Sequence, residues 1–470
     1  MIIFFIALIL LICGYLFYSK FVENVFGIDE NRRTPAIKYN DGVDFVPMPI
    51  WRVFLIQFLN IAGLGPVFGA ILGAVYGPVC LLWIVFGCIF AGGVHDFCSG
   101  MLAIRYKGKS IVYLTEKLFG KYFKVIFLIF FIGLLILLGT VFAINPAKML
   151  ANISHSSLNI WICVIFGYYF LTTLLPVDKV IGRLYPFFAL LLIVMTCALM
   201  FMLIKSGAAF YPDLTKLNLH PDHASIFPLV FVTVACGAVS GFHATQSPIM
   251  ARCLPNEKNG RAVFYGAMVT EGVVALIWAT LGIAFYQQTG GLLNAINNFG
   301  QGGVVSEIST GLLGHTGGIL TVLSIIVLSI TSGDTAFRSI RITIADFLHW
   351  EQKSIPKRLF LSTIILSCGV LLSRINLTTL WQYFGWANQA LSSLVLWTIA
   401  YYLMKKHKCF YIALIPAIFM TSVVVSYIFQ VKIGFHLSEF VSNIIGIIFA
   451  LIFTIVFFIQ KSKCSNKIKA

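Results

Sequence analysis

Charge is scarce in this chain. Only 11% of its 470 residues are Asp, Glu, Lys or Arg, while 59% are hydrophobic; a soluble globule carries about 25% charged residues. Acid is scarcer still, with 17 Asp and Glu against 33 Lys and Arg, a net charge of +16. That surplus invites a nucleic-acid partner, but no basic domain stands apart from the apolar segments, so none is expected. The 11 cysteines contain no C-x-x-C spacing, which argues against a disulfide framework or zinc site and leaves them as small apolar packing residues. No metal or cofactor is expected. H-E-x-x-H and G-x-S-x-G are missing, and no large polar segment remains to house an aqueous catalytic domain, so the chain does not read as an enzyme. The alternating runs of about ten residues that build transmembrane β-barrels are also missing.

Long apolar runs are what the chain has instead. They measure roughly 17 to 28 residues, enough to cross about 30 Å of hydrocarbon at 1.5 Å per residue. Thirteen spans fall near 2–18, 51–75, 79–104, 122–144, 158–177, 185–204, 226–250, 263–288, 316–337, 357–373, 380–403, 409–429 and 437–459. The first run has no Lys or Arg before it and no small-residue cleavage site after it, so it reads as a spanning helix rather than a signal peptide. Basic residues test the count. With the tail Lys461–Ala470 placed inside, alternate loops gather 28 of the 33 Lys and Arg, and the opposite face keeps Lys148, Lys205, Lys216, Arg374 and Lys432. A wrong span would erase that bias. The expectation is an all-α polytopic protein of a cytoplasmic membrane, its N-terminus outside and C-terminus inside. The polar segment Gly290–Gly314 is expected at the outer interface or partly re-entrant.

Two spans do not suit an unbroken helix. The second contains Asn60-Ile-Ala-Gly63-Leu-Gly65-Pro66-Val-Phe-Gly69, and the seventh Gly237-Ala-Val-Ser240-Gly241-Phe-His243-Ala-Thr-Gln246-Ser-Pro248. Proline removes a donor and disfavours helix before itself. Unwound backbone persists in hydrocarbon only where protein, water, ion or substrate satisfies it. Close packing through small residues is the structural alternative. The breaks lie five spans apart, and a unit of five spans repeated once is necessarily inverted. This predicts a 5+5 inverted-repeat core of the LeuT/APC type, with substrate between the broken helices. The organisation is then 1–20 accessory helix, 21–205 first half, 206–405 second half, and 406–470 accessory helices with a basic tail.

The substrate-binding candidates are Asn60, Gly63, Gly65, Pro66, Ser240, Gly241, His243 and Gln246. Ionisable groups at membrane depth are costly and usually functional. His95-Asp96 lies in span 3, His243 beside the break in span 7, Glu271 in span 8 and Asp334 near the inner end of span 9. His243, which abuts a helix break and can exchange a proton near neutral pH, leads the coupling candidates, with Asp96 and Glu271. Asp334 follows Thr331-Ser332-Gly333 and is equally suited to pairing with Arg338 one turn on. Thr331 and Ser332 keep sodium open as the coupling ion. Trp381, Tyr383 and Trp386 suit the outer interface, whereas Asn388 and Gln389 lie deeper and must find partners.

The motifs IAGLGPVFG (Ile61–Gly69), GGVHDF (Gly92–Phe97), GAVSGFH (Gly237–His243), YGAMVTE (Tyr265–Glu271), SGDTAFRSIR (Ser332–Arg341) and FGWANQAL (Phe384–Leu391) together resemble the carbon starvation protein A family of bacterial inner-membrane transporters. The chain is similar to a short form of it. Ala70 and Ala244–Pro248 depart from the pattern of longer members. The resemblance implies uptake of short peptides or of pyruvate with protons, during nutrient limitation. A secondary transporter of a small molecule, coupled to protons or to sodium, is the expectation. A transporter-like nutrient sensor is the alternative from another class, disfavoured because such a protein needs an output domain and the segment after the last span is ten residues long.

Overall fold

The structure, a computed structural model, describes residues 2–42, 45–173, 177–208, 216–348, 350 and 355–469. Helix runs through the apolar segments, with a gap in the seventh. They are α1 (Ile2–Phe26), α2 (Ile50–Ala62 and Gly65–Ala74), α3 (Pro78–Arg105), α4 (Lys121–Ser154), α5 (Leu158–Thr172), α6 (Val177–Lys205), α7 (Leu229–Thr233 and His243–Ala251), α8 (Glu257–Tyr286), α9 (315–348), α10 (Ile355–Leu372), α11 (Leu377–Lys405), α12 (Tyr411–Gln430) and α13 (Glu439–Lys469). Among the described residues nine helices are long and apolar enough to cross a membrane, and ten if the bent pair of α2 is one span. The short pieces of α7 and the amide-bearing α11 fall outside that group for the reason the sequence suggests: they carry breaks or polar side chains at depth.

Helix is the only way an open chain can satisfy its backbone in lipid, and the side chains sort accordingly. In α13 Phe440, Ile447, Leu451 and Ile455 are exposed, and in α1 Ile2, Ile9 and Phe17 are. These helices form an apolar rim. The motif-bearing α2, α3, α7 and α8 are buried almost throughout.

Loop contacts fall into two groups. At one end Arg105 bonds to the Gly27 carbonyl and to Glu257, Arg252 Nε donates to the Gly108 carbonyl at 3.1 Å, and Lys408 Nζ donates to the Phe26 carbonyl. At the other end the Leu219 N–H donates to the Tyr76 carbonyl at 3.0 Å, and Thr289 Oγ1 to the Leu219 carbonyl at 2.7 Å. The segment Gly290–Gly314 is helical. It breaks at Gly300 (φ 67°) and Gly314 (φ 69°), left-handed backbone that suits glycine, and folds along the second end. Lys179 and Arg183 lie among residues whose side chains are outside the described set, as do Lys353 and the tail residues from 464 onward.

Candidate functional site

Both expected breaks are present, and they touch. In α2 the helix stops at Gly63 (φ 47°, ψ −147°), and its halves bend by 55°. The second half restarts at Gly65-Pro66 with a wide turn, where proline needs no partner for its nitrogen. In α7 regular helix lapses between Gly237 and His243. The glycines have a packing reason. A Cβ on Gly65 would stand 2.2 Å from Cys236 Cβ, and one on Gly69 2.9 Å from the Val234 carbonyl oxygen. Only hydrogen at these positions lets the two unwound segments meet. The small-residue contact and the helix break, posed as alternatives by the sequence, are one device.

Asn388 of α11 braces the unwound stretch of α7. Its Oδ1 accepts from Ser240 Oγ (3.1 Å) and from the Phe242 N–H (2.9 Å), and its backbone carbonyl accepts from the Gly241 N–H (3.2 Å). Gly241 is required there because a Cβ would stand 2.5 Å from that carbonyl oxygen. Thus Ser240 and Gly241 spend their polar groups on α11. Gln389 Nε2 donates to the Phe231 carbonyl at 3.3 Å. Gln246 Nε2 donates to Thr245 Oγ1 at 2.8 Å, and its Oε1 is buried without a protein partner.

Three coupling candidates from three helices converge beside this break. Asp96 of α3 accepts from both flanking imidazoles, His95 Nδ1 at Oδ1 (2.7 Å) and His243 Nδ1 at Oδ2 (2.8 Å). The other ring nitrogen of His243 lies 3.4 Å from Glu271 Oε2 of α8. All four side chains are fully buried. His243 Nε2 and both Glu271 carboxyl oxygens have no hydrogen-bond partner within the protein, so these facing groups are the ones free to exchange a proton. Ser99 and Ser247, 3.2 Å apart, tie α3 to α7 one turn away.

Asp334 belongs to a different cluster. It accepts from Thr172 Oγ1 and Tyr185 OH (3.3 Å) and pairs with Arg338 Nη2 at 3.7 Å, which is the structural pairing the i, i+4 spacing offered. Thr331 Oγ1 donates within its helix to the Leu328 carbonyl (2.9 Å), whereas Ser332 Oγ reaches across to the Leu59 carbonyl (3.4 Å) in the last turn before the α2 break.

The open space lies elsewhere. A vestibule of about 1070 Å³ opens at the loop end that holds Gly290–Gly314, with Asn145, Lys148, Gln301, Glu307 and Asn376 on its walls and Trp381 at its edge. Trp381 therefore lines this cavity. Its ring packs on Phe68 and Phe384, Phe384 packs on Phe142, and Phe142 lies where a Cβ on Gly63 would be, 2.7 Å away. This aromatic floor separates the vestibule from the breaks. At the opposite end, buried Glu257 pairs with Arg105 (3.3 Å) and Arg32 (3.5 Å) and accepts from the Asp29 N–H (3.0 Å). Sequence reasoning passed over Glu257 because a lone loop acid carries no signal. It also passed over Gln57, whose amide sits in the same apolar run as Asn60.

A polytopic helical bundle with two broken helices in contact, closed at its centre and hollow on one side, has the fold of membrane transporters. The fold is shared with a manganese transporter of Eremococcus coleocola (TM-score 0.61, 15% identity, 91% of this chain and 99% of that one). It is also shared with MhsT, solved in complex with L-phenylalanine (TM-score 0.57, 15% identity, 86% and 98%). The chain belongs to the family described as Carbon starvation protein CstA, which matches residues 1–160, 144–296 and 282–427. It is 42% identical over 348 residues to an uncharacterized membrane protein of Haemophilus influenzae, covering 63% of this chain and 94% of that one. It is 26% identical over 545 residues to the peptide transporter CstA of Campylobacter jejuni, covering 88% and 78%. To the pyruvate/proton symporter BtsT of Escherichia coli it is 26% identical over 330 residues, spanning 56% of this chain but only 46% of that one. The named Campylobacter jejuni, Escherichia coli and Eremococcus coleocola proteins are transporters, not enzymes.

Proposed function

We propose that this chain imports a small carbon nutrient, a short peptide or pyruvate, by alternating access driven by protons, in the inner membrane of a bacterium short of carbon. The carrying observation is the buried Asp96–His243–Glu271 chain set against the break of α7. A protonatable pair, His243 at the restart of α7 and Glu271 on the neighbouring α8, ties the protonation state to how α7 packs against α3 and α8. The vestibule, the aromatic floor and the Glu257 ion pairs fit a state open on one side and closed on the other. Paired breaks in contact support the 5+5 inverted repeat, and the two groups of loop contacts support thirteen spans with the N-terminus outside and C-terminus inside. Asn60, Gly63, Gly65, Pro66, Ser240, Gly241 and Gln246 would then surround or shape the central site once the floor opens.

Uptake into proteoliposomes under an imposed pH gradient is the test. Accumulation that follows the gradient and collapses with uncoupler supports the reading, and accumulation indifferent to both would sink proton coupling. A sodium-coupled reading is favoured by one contact, Ser332 Oγ against the Leu59 carbonyl beside the α2 break, with Thr331 adjacent. Hydroxyl and carbonyl oxygens are the donors that hard cations take. A sodium gradient replacing the proton gradient in the same assay separates the two.

A further inference from the structure

Two primary amides stand in the last turns of α2 before the Gly63 break, and neither has a protein partner. Gln57 and Asn60 are fully buried, and all four of their side-chain polar atoms, Gln57 Oε1 and Nε2 and Asn60 Oδ1 and Nδ2, lack a hydrogen bond within the protein. At i, i+3 they share one face of the helix, with Cβ atoms about 5–6 Å apart. Amides between membrane helices ordinarily bond to one another or to a neighbouring backbone, as Asn388 and Gln389 do here. A buried amide left unpaired in a membrane protein is destabilising, and two side by side point to a function. They lie where transport chemistry is expected: the carbonyl of the intervening Leu59 receives Ser332, Gly63 ends the same helix, and the Phe142 floor covers that glycine.

We infer that Gln57, together with Asn60, forms the part of the central site that recognises the solute, and that it selects a solute presenting N–H donors and C=O acceptors together. The inference rests on the transport reading above and narrows it. Each amide offers two N–H donors and one carbonyl acceptor. Exchanging oxygen and nitrogen in either side chain leaves that inventory the same, so the argument holds for both orientations. Pyruvate, as its anion, has only acceptor oxygens. It could satisfy the two NH₂ groups but would leave Gln57 Oε1 and Asn60 Oδ1 unpaired and facing like charge. A dipeptide supplies N–H donors at its ammonium and peptide nitrogens together with carbonyl and carboxylate acceptors, enough for both ends of both amides. A site built to hydrogen-bond a solute rejects an analogue that lacks the matching group far more strongly than an apolar pocket does.

The test compares dialanine with pyruvate in proteoliposomes of the full chain, wild type against Gln57→Leu and Asn60→Leu, with melting temperature measured in parallel. Leucine keeps the side-chain volume and removes the polar atoms. The expected result is saturable wild-type uptake of dialanine, and a KM raised at least about tenfold in each variant. The melting temperature should be unchanged or higher, because an unsatisfied buried group has been removed. A variant that melts lower while its KM for dialanine stays put overturns the inference, since the amides would then be structural. Wild-type uptake of pyruvate without dialanine overturns it too and leaves the transport reading standing. Flux of neither solute overturns both. If one variant fails to fold, the other, with Gln57→Asn as a conservative control that restores donor and acceptor, gives the same readout.

Discussion

Replacing Glu271 by glutamine removes the carboxyl group that faces His243 while leaving size and burial intact. In the wild type Asp96 is committed to His95 and His243 at 2.7 and 2.8 Å, while His243 Nε2 faces Glu271 Oε2 at 3.4 Å with no other protein partner for either atom. Under the proposed coupling, this one facing pair would carry one proton per cycle. A pH difference of one unit is worth about 1.4 kcal/mol, so wild-type proteoliposomes at outside pH of about 6.5 and inside pH of about 7.5 should accumulate an electrically neutral or zwitterionic solute about tenfold at zero membrane potential. The substituted amide cannot take up or release the proton. E271Q should therefore equilibrate solute without concentrating it, an accumulation ratio near one, while solute exchange between preloaded vesicles and medium continues. Accumulation in E271Q equal to wild type would refute the assignment of the proton to this pair. Wild-type accumulation near a hundredfold under the same gradient would refute the count of one, because two protons would then move.

Further outcomes follow from particular contacts. Gly65→Ala places a Cβ 2.2 Å from Cys236 Cβ and should destabilise the protein by about 2–3 kcal/mol; Cys236→Gly should rescue it and Cys236→Ala should not, as read by thermal unfolding in detergent. Asn388→Ala leaves the Phe242 N–H and Ser240 hydroxyl without the oxygen at 2.9 and 3.1 Å. It should cost about 2–4 kcal/mol and speed hydrogen exchange at residues 238–242; unchanged exchange there would show that α11 does not brace the break. Glu257→Gln removes ion pairs to Arg105 at 3.3 Å and Arg32 at 3.5 Å. It should weaken closure at that end by about 2–3 kcal/mol, below the cost of breaking a fully buried pair because Arg32 is partly exposed, and so raise thiol labelling of buried Cys253.

The sequence by itself determined that the chain is a helical membrane protein, because hydrocarbon admits no other open-chain backbone and low charge with long apolar runs is legible residue by residue. It also marked both helix breaks, since glycine and proline act on their own backbone, and it picked out Asp96, His243 and Glu271 as polar groups too expensive at depth to be idle. Tertiary structure alone decided that these three lie side by side while Asp334 joins Thr172, Tyr185 and Arg338 elsewhere. It alone decided that Gly65 and Gly69 are there for Cys236 and Val234, that Asn388 holds the α7 break, and that Gln57 is buried without a partner. The reason is physical. Cost at depth and backbone freedom are properties of single residues, whereas a hydrogen-bond partner is a property of two. Asp96 and His243 stand 147 positions apart in the chain, and Leu59 and Ser332 stand 273 apart; such pairs meet only when the helices pack.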